Sequence, residues 1–547
     1  MGYYYYNRSR AQQAAIWGGV SYLLRDEFTS ALAAGSVNGT AAEPGPGTRA
    51  VTDANSKLSI TGGALSVATG GAAANEPRLS YGSIARATGR LLIASTTVTT
   101  EGAIIALSDV NTAARQAAIR LYDTSIAIDK GAASWVVVGA YSTATAYQVA
   151  IVERAAGEYV FIKGGAFTNW ELLWSDANGA SDPLYVIVGA DDTASVYTAD
   201  YLRIPDVLWL PSPICFDSFT RANGAIGDSE TSGPDSQAVT ARTWTGATFT
   251  VASNVAVGTP TAGATLWDAD AAVFTAGTYS WAVYGTNTIA NDANSLKTTW
   301  VSHAAGSYCW LRDTADLSAN LTVGTWYMFN VDAKVGAGDS VNLEVYDGAA
   351  YLAGPAITGT SFVTQVITIL AGSATGCLVR SNNMGAGEDI WLDNLSLKPL
   401  TLSTLFASVD DAATADVVAS VDVICTAGTQ AGLVVNLDSA ASPANFVIAY
   451  VDGVNCKLEK CVSGVYSSII SGAVTYGAGK TLRVIKDGTS YTLYYNNAKI
   501  GATSTISDAG IVDNTKHGLF STHASNTLNN FELFPRGDGA YSDLDAW

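Results

Sequence analysis

The acids whose spacing comes nearest to a catalytic pattern are those of Glu388-Asp389-Ile390-Trp391-Leu392-Asp393. Cleavage of a glycosidic bond with retention needs two carboxyls about 5 Å apart, one on each side of the bond, and alternate residues of a strand share a face. Here Asp389 and Asp393 share a face and Glu388 opposes both. The run therefore reads as a strand edge, and the chain is expected not to be an enzyme. Nucleophilic chemistry fares no better. None of His303, His517 and His523 has a GxSxG motif or a nucleophilic cysteine around it, and His517 reads as a satisfied structural residue. No P-loop is present, and Gly62-Gly63 stands at a hairpin end, where glycine serves a positive φ.

Other constellations could bind without reacting. Asp268, Asp270, Glu388 and Asp393 are hard oxygen ligands of the kind calcium takes; the competing reading is that they are solvated surface acids. Trp300 shares strand parity with Thr298 and Ser302, and Tyr308, Trp310 and Arg312 share another parity. Each set is an apolar ring with polar neighbours, the chemistry that holds a sugar face. Core packing competes, because most of 13 tryptophans must be buried. The cysteines, Cys215, Cys309, Cys377, Cys425, Cys456 and Cys461, show no CxxC and no zinc spacing. Cys456 and Cys461 point to opposite faces of one strand, roughly 16 Å apart and too far to bridge. Small apolar fillers are expected at these positions.

The elements that must position these groups are strands. With 53 glycines, 14% charged and 10% aromatic residues, the 547-residue chain suits two to four domains of short strands and tight turns. A formal charge of −19 repels phosphate backbones, so no nucleic-acid partner is expected. Near the N-terminus Arg8 and Arg10 precede an apolar run, but Gly18-Gly19 interrupts it and Arg25-Asp26-Glu27 ends it. Spanning a bilayer takes about 20 residues, so neither a signal peptide nor membrane insertion is expected.

Residues 480–501, KTLRVIKDGTSYTLYYNNAKIG, are two apolar runs, each closed by a dipeptide that tolerates positive φ, Asp487-Gly488 and Asn496-Asn497. This hairpin, with His517-Gly518-Leu519-Phe520 and Asn529-Asn530-Phe531-Glu532-Leu533 after it, resembles the C-terminal half of a concanavalin A-like (laminin G-like) jelly roll. In that fold the hairpin sits at the centre of one curved sheet. The same pattern appears earlier in YQVAIVERAAGEYVFIKGG, residues 147–165. Residues 25–208 thus read as one complete jelly roll that opens with Asp26-Glu27-Phe28-Thr29 and ends near Pro205, a residue that cannot continue a ladder.

A second opening, Asp217-Ser218-Phe219-Thr220, is followed by strands around Trp244, yet its continuation comes only after residue 400. Between them, residues 261–399 end in Ile390-Trp391-Leu392-Asp393-Asn394-Leu395-Ser396-Leu397. This ending is similar to the last strand of the jelly rolls in carbohydrate-binding modules of families four and nine. Such a resemblance implies an exposed aromatic for sugar contact and a structural calcium near Asp393, with no cofactor required. Nesting of 261–399 within a second jelly roll (214–260 with 400–536) gives the last hairpin its missing strands; three domains in a row is the rival order. The reading is all-β, with multiple jelly-roll sandwiches.

Residues 1–24 contain Tyr3, Tyr4, Tyr5, Tyr6 and Trp17, and alone they bury too little to offset an ordering cost of roughly 1–2 kcal/mol per residue. They are expected to anchor the chain to a partner; the alternative is a strand added to the first domain. Residues 537–547 form an acidic tail, and Arg536-Gly537-Asp538 is an integrin-type tripeptide of chance frequency. Tandem jelly rolls behind such a peptide resemble bacteriophage tail fibres, spikes and head decorations. That resemblance implies a virion surface location, other virion proteins as partners, host glycans as ligands, and a homo-oligomeric or particle-bound state. A secreted bacterial polysaccharide-binding protein or adhesin, or an inactive hydrolase relative, is the alternative.

Overall fold

A computed structural model describes residues 21–536 except 69–76, 101, 109–117, 130–134, 155–156, 177–183, 191–193, 207, 210–212, 234–237, 247, 284–285, 302–308, 314–316, 348–349, 374–376, 383 and 410–413. Among the described residues the helical pieces are single turns, Ala269–Val273 and Leu402–Leu405. Everything else of regular structure is strand, in six antiparallel sheets that enclose three apolar cores. The protein is an all-β stack of jelly-roll sandwiches.

The first sandwich faces an eight-stranded sheet with a seven-stranded one. It starts earlier than the sequence suggests. The strand Tyr22–Asp26 pairs with Tyr197–Pro205, and Leu24 lies in the core. Residues 21–24 therefore belong to the sandwich, because alternate side chains of this strand point inward where a tail would leave them in water.

Both Asp-x-Phe-Thr openings are the same device. The Asp26 carboxylate accepts the Phe28 backbone N–H at 3.1 Å, and that of Asp217 accepts the Phe219 N–H at 2.8 Å. Each bond holds its phenylalanine at a positive φ, 51° and 54°, a conformation bulky residues avoid unless the surroundings impose it. Partners differ. Asp26 is buried under Arg49, which donates Nε and Nη2 at 2.6 Å each, and the Tyr81 hydroxyl at 2.8 Å. Asp217 takes Arg221 at 2.6 Å and the Trp244 indole N–H at 2.8 Å.

Cys215–Asp217, Phe249–Ala252 and Val255–Gly258 join a nine-stranded sheet with Val417–Ile424, Lys480–Asp487 and Thr527–Pro535. Trp244–Thr245 pairs with Phe406–Val409 in the opposing seven-stranded sheet. The Trp244 ring stands 5.0 Å from Phe531, centroid to centroid. The hairpin of residues 480–501 lies toward an edge of its sheet and not at the centre, since Val417–Ile424 and Thr527–Pro535 occupy the middle. Its second turn holds Asn496 and Asn497 at φ 48° and 65°, the geometry a two-residue hairpin loop requires.

Residues 282–399 make two five-stranded sheets of their own. The chain enters and leaves this insertion side by side. Ala262 bridges Leu400, the Thr401 N–H reaches the Thr261 carbonyl at 2.9 Å, and the Gly263 N–H reaches Pro399 at 2.8 Å. In the last strand, Asp389–Pro399, Asn394 sits at a bulge with φ 51° and donates its amide to Asp332 at 2.8 Å. Asn530 repeats this in the second sandwich, donating to Asp422 at 2.8 Å.

The units pack on one another. Leu91, Ile93, Phe161, Trp170 and Trp209 of the first sandwich meet Val418, Ile485, Tyr494 and Phe534 of the second. Arg536 is buried at this junction, near the Trp170 carbonyl at 3.3 Å and Asp487 at 3.4 Å. It is therefore occupied within the fold and not presented as part of a recognition tripeptide.

Candidate functional site at the seam of the insertion

The strand Asn445–Val451 reads as continuously apolar because both of its faces are covered. Val447, Ala449 and Val451 enter the sandwich core, while Phe446, Ile448 and Tyr450 face the insertion. Its neighbour, Asn455–Val462, alternates differently: Cys456 and Leu458 point into the core and Cys461 points to the seam. Lys457 and Glu459 share the parity of Cys461, and they pair in register with Tyr450 and Ile448. Cys456 and Cys461 thus serve opposite faces as fillers. Cys215, Cys425, Cys456 and Cys461 are all buried free thiols.

From the insertion come Trp326, Met328 and Leu370, on Trp326–Val335 and Val363–Leu370. Trp326 packs against Tyr450, Tyr466 and Phe520 at 6.3, 6.4 and 5.6 Å between ring centroids. A polar staple fixes the two surfaces. The Thr368 hydroxyl donates to Gln430 Oε1 at 2.6 Å, Gln430 Nε2 returns to the Thr368 carbonyl at 3.0 Å, and the Thr368 N–H reaches Gly428 at 2.7 Å.

Between these contacts the surfaces part around a cleft of about 510 Å³, with Trp326, Tyr450, Tyr466 and Leu352 beside Asp347, Lys457, Glu459, Gln430 and Ser467. A hollow of about 200 Å³ continues it past Leu352 and Gln430 toward Asp452 and Asn455. Burial pushes the Glu459 carboxyl above the usual carboxylate range; Lys457 and the Tyr450 hydroxyl oppose the rise, and Asp347 and Asp452 add to it. Glu459 Oε2 is shut off from solvent with no hydrogen-bond partner among the described residues. Lys457 Nζ lies 3.3 Å from Asp452 and 5.9 Å from the Tyr450 ring. Burial likewise raises the Tyr450 and Tyr466 hydroxyls, which stay protonated. Few polar groups over an aromatic floor describe a ligand site in general terms.

The residues singled out in the sequence lie elsewhere. Trp300 is half-buried against the core of the insertion, its backbone bonded to Glu388 and Gly387 at 3.1 and 3.0 Å. Trp310 and Arg312 lie on Cys309–Asp313, in the sheet opposite the one that Leu296–Thr299 leads into Trp300 from. Their side chains, and Tyr308 altogether, are outside the described residues, as are Tyr3, Tyr4, Tyr5, Tyr6 and Trp17.

Asp268 stands at the N-terminal boundary of the short helix without a side-chain capping bond, and Asp270 stands in its first turn. Glu388 accepts the Gly385 N–H at 2.5 Å, and Asp393 is raised by burial and then by Asp332, against the Asn394 N–H. No group of three or more His, Cys, Asp or Glu side chains is placed to hold a metal among the described residues. On the acid-rich strand Ile390 and Leu392 enter the core. Asp389 pairs with Lys297 at 2.8 Å, and Lys297 and Lys334 lie 5.0 and 5.1 Å from the Trp391 ring.

The seam is hidden in the sequence because its residues come from several distant stretches. The available signal was the switch at Lys457 and Glu459 from an apolar run to outward charges.

No protein-family model matches the chain, and no curated protein matches it in sequence. Among solved structures it is similar to an uncharacterized protein from Mycobacterium paratuberculosis, 13% identical over 34% of this chain and 100% of that one, with a TM-score of 0.24. Sheep galectin-11 in complex with glycerol is 10% identical over 22% of this chain and 91% of its own, with a TM-score of 0.19. A carbohydrate-binding module from Bacillus subtilis is 11% identical over 47% and 95%, with a TM-score of 0.17. At such scores the chain's own geometry has to carry the reading of function.

Proposed function

We propose that this chain is a non-catalytic binding protein displayed on a particle surface, which holds a glycan in the cleft between its insertion and its second sandwich. The observation that carries this reading is the cleft itself: aromatic and aliphatic side chains line it together with carboxyls, an amide and hydroxyls. Saccharides need such a mixture, because their ring faces are apolar and their edges carry hydroxyls. The staple of Thr368 and Gln430 holds the cleft in shape before a ligand arrives, which lowers the ordering cost of binding.

Display on a virion, with other virion proteins as partners of the N-terminal segment, rests on the tyrosine-rich composition of residues 1–20 and the stacked sandwiches behind them. Release from a secreting cell in place of a virion is the alternative. No calcium is assigned a role.

A glycan array probed with the full chain tests the binding, and Ser467→Trp, which fills the cleft mouth, should remove every positive spot. Retention of the spots would place the site elsewhere. Release of reducing ends from a bound polysaccharide, lost in Glu459→Gln, would replace this reading with hydrolysis. Deletion of residues 2–20 should leave melting unchanged and abolish particle incorporation; incorporation at the original level would remove the display reading.

A further inference from the structure

Charge sorts the ligands this cleft can accept. Among the side chains that line it and the adjoining hollow, the charged ones are Asp347, Asp452, Glu459 and Lys457. Lys457 is engaged with Asp452 at 3.3 Å, so its charge is already answered within the seam. Three acids, Asp347, Asp452 and Glu459, thus line the cleft and its hollow against the single lysine, Lys457, among the described residues.

Glu459 adds a second and independent observation. Its Oε2 is out of water and lacks a donor among the described residues, while the side chain lines the cleft. A buried carboxylate oxygen without a donor is costly, because it has given up its water for nothing. The terminal torsion of glutamate is broad and about two-fold, so a small turn of the carboxyl brings that oxygen to the cleft. A ligand carrying a hydroxyl or an ammonium there supplies the missing donor. A ligand carrying a carboxylate or sulfate supplies none and meets like charges at reduced dielectric.

We propose that the cleft selects neutral and amino-bearing saccharides through Glu459 and Asp347, and rejects uronic-acid and sulfated ones. This rests on the reading of the cleft as a glycan site. Asp347 and Glu459 are specificity-determining here, and Trp326 and Tyr450 supply the shape.

The test is isothermal titration of the full chain at about pH 6, where the weakly basic amines of chitosan carry most of their protons. The probes are three oligosaccharides of matched length: chitosan, its fully N-acetylated form and oligoglucuronate. Chitosan and the N-acetylated form should bind, and chitosan should exceed oligoglucuronate by about tenfold or more, narrowing with added salt. Glu459→Gln should lower the ratio of chitosan affinity to oligoglucuronate affinity by about threefold or more.

Should Glu459→Gln fail to fold, Lys457→Met serves instead, and it should widen the preference by exposing Asp452. Equal binding of oligoglucuronate, or a preference unchanged in the folded variant, overturns the charge selection and leaves the glycan site standing. Absence of heat with all three, together with a blank glycan array, overturns the glycan site and this inference with it.

Discussion

The indole N–H of Trp326, at the start of a strand in the insertion, donates to the hydroxyl of Tyr466 in the second sandwich at 3.2 Å. Trp326 is only 3% exposed, and its own module adds Ala262, Met328 and Leu370 to the cluster around it. Phe406, Phe446, Tyr450 and Phe520 of the sandwich make up its surroundings. One tryptophan therefore fastens the insertion to the sandwich in a cluster separate from the core of either.

We expect Trp326→Ala to cost about 3–5 kcal/mol, as for a large aromatic removed from a packed site. The insertion and the sandwich should then melt as two transitions in calorimetry. Trp326→Phe, which keeps the ring contacts and loses only the N–H, should retain one transition at a lower temperature.

His517 gives the protein a pH dependence. The Asn436 N–H donates to its Nδ1 at 3.3 Å, and its Nε2 lies 3.1 Å from the Thr414 carbonyl, which fixes a neutral ring with the proton on Nε2. Burial depresses its pKa from 6.5 to about 4. In that window the unfolded chain binds the proton and the folded chain does not, so stability present above pH 6.5 is lost as pH falls toward 4, by about 3 kcal/mol from this group. Urea midpoints between pH 7 and 4 should fall less steeply in His517→Gln than in the wild type.

Asp26 and Arg49 are a buried ion pair in the first sandwich. Removing one partner strands the other charge, so Asp26→Ala should cost about 3–5 kcal/mol. Adding Arg49→Met should restore part of that loss. A double variant no more stable than the single one by urea denaturation would show that the turn at Phe28, and not the pair, is what Asp26 maintains.

The insertion should be removable. Joining residue 261 to 400 directly reuses a contact that already exists, the 2.9 Å bond between Thr261 and Thr401, so deletion of 262–399 should leave a cooperatively folding chain. Its bared Phe446, Ile448 and Tyr450 should bind a hydrophobic dye. Residues 400–536 alone should show no cooperative transition, since Trp244 and the strand Cys215–Asp217 are missing from their sheets.

What could be read from the sequence was what the chain does locally. Asp26 and Asp217 each bond the amide two residues on, and a bond so short in sequence leaves its mark as a motif. Asn394 and Asn530 suit their bulges because asparagine tolerates the positive φ that each holds, 51° and 49°. The hairpin around Asn496-Asn497 was legible too, though its place near a sheet edge depends on strands drawn from residues 417–424 and 527–535. The start of the first sandwich was misplaced because Leu24 owes its burial to Tyr197–Pro205, far along the chain. Glu459 was invisible as a site residue because Asp347, Tyr450 and Trp326 meet it only through folding. Trp300 was visible as an aromatic with polar neighbours, and no spacing rule separates that from a ring half-buried on its own core.

The entry and exit of the second sandwich are also neighbours: Cys215 pairs with Leu533, and the Ile214 N–H reaches the Leu533 carbonyl at 2.7 Å. A pull between the first sandwich and Pro535 therefore loads that short ladder together with the junction where Trp170 and Trp209 meet Phe534. It does not run through the insertion, whose two crossings are tied to each other at Thr261 and Thr401. The cleft therefore lies off the direct chain path between the entry and the exit of the second sandwich.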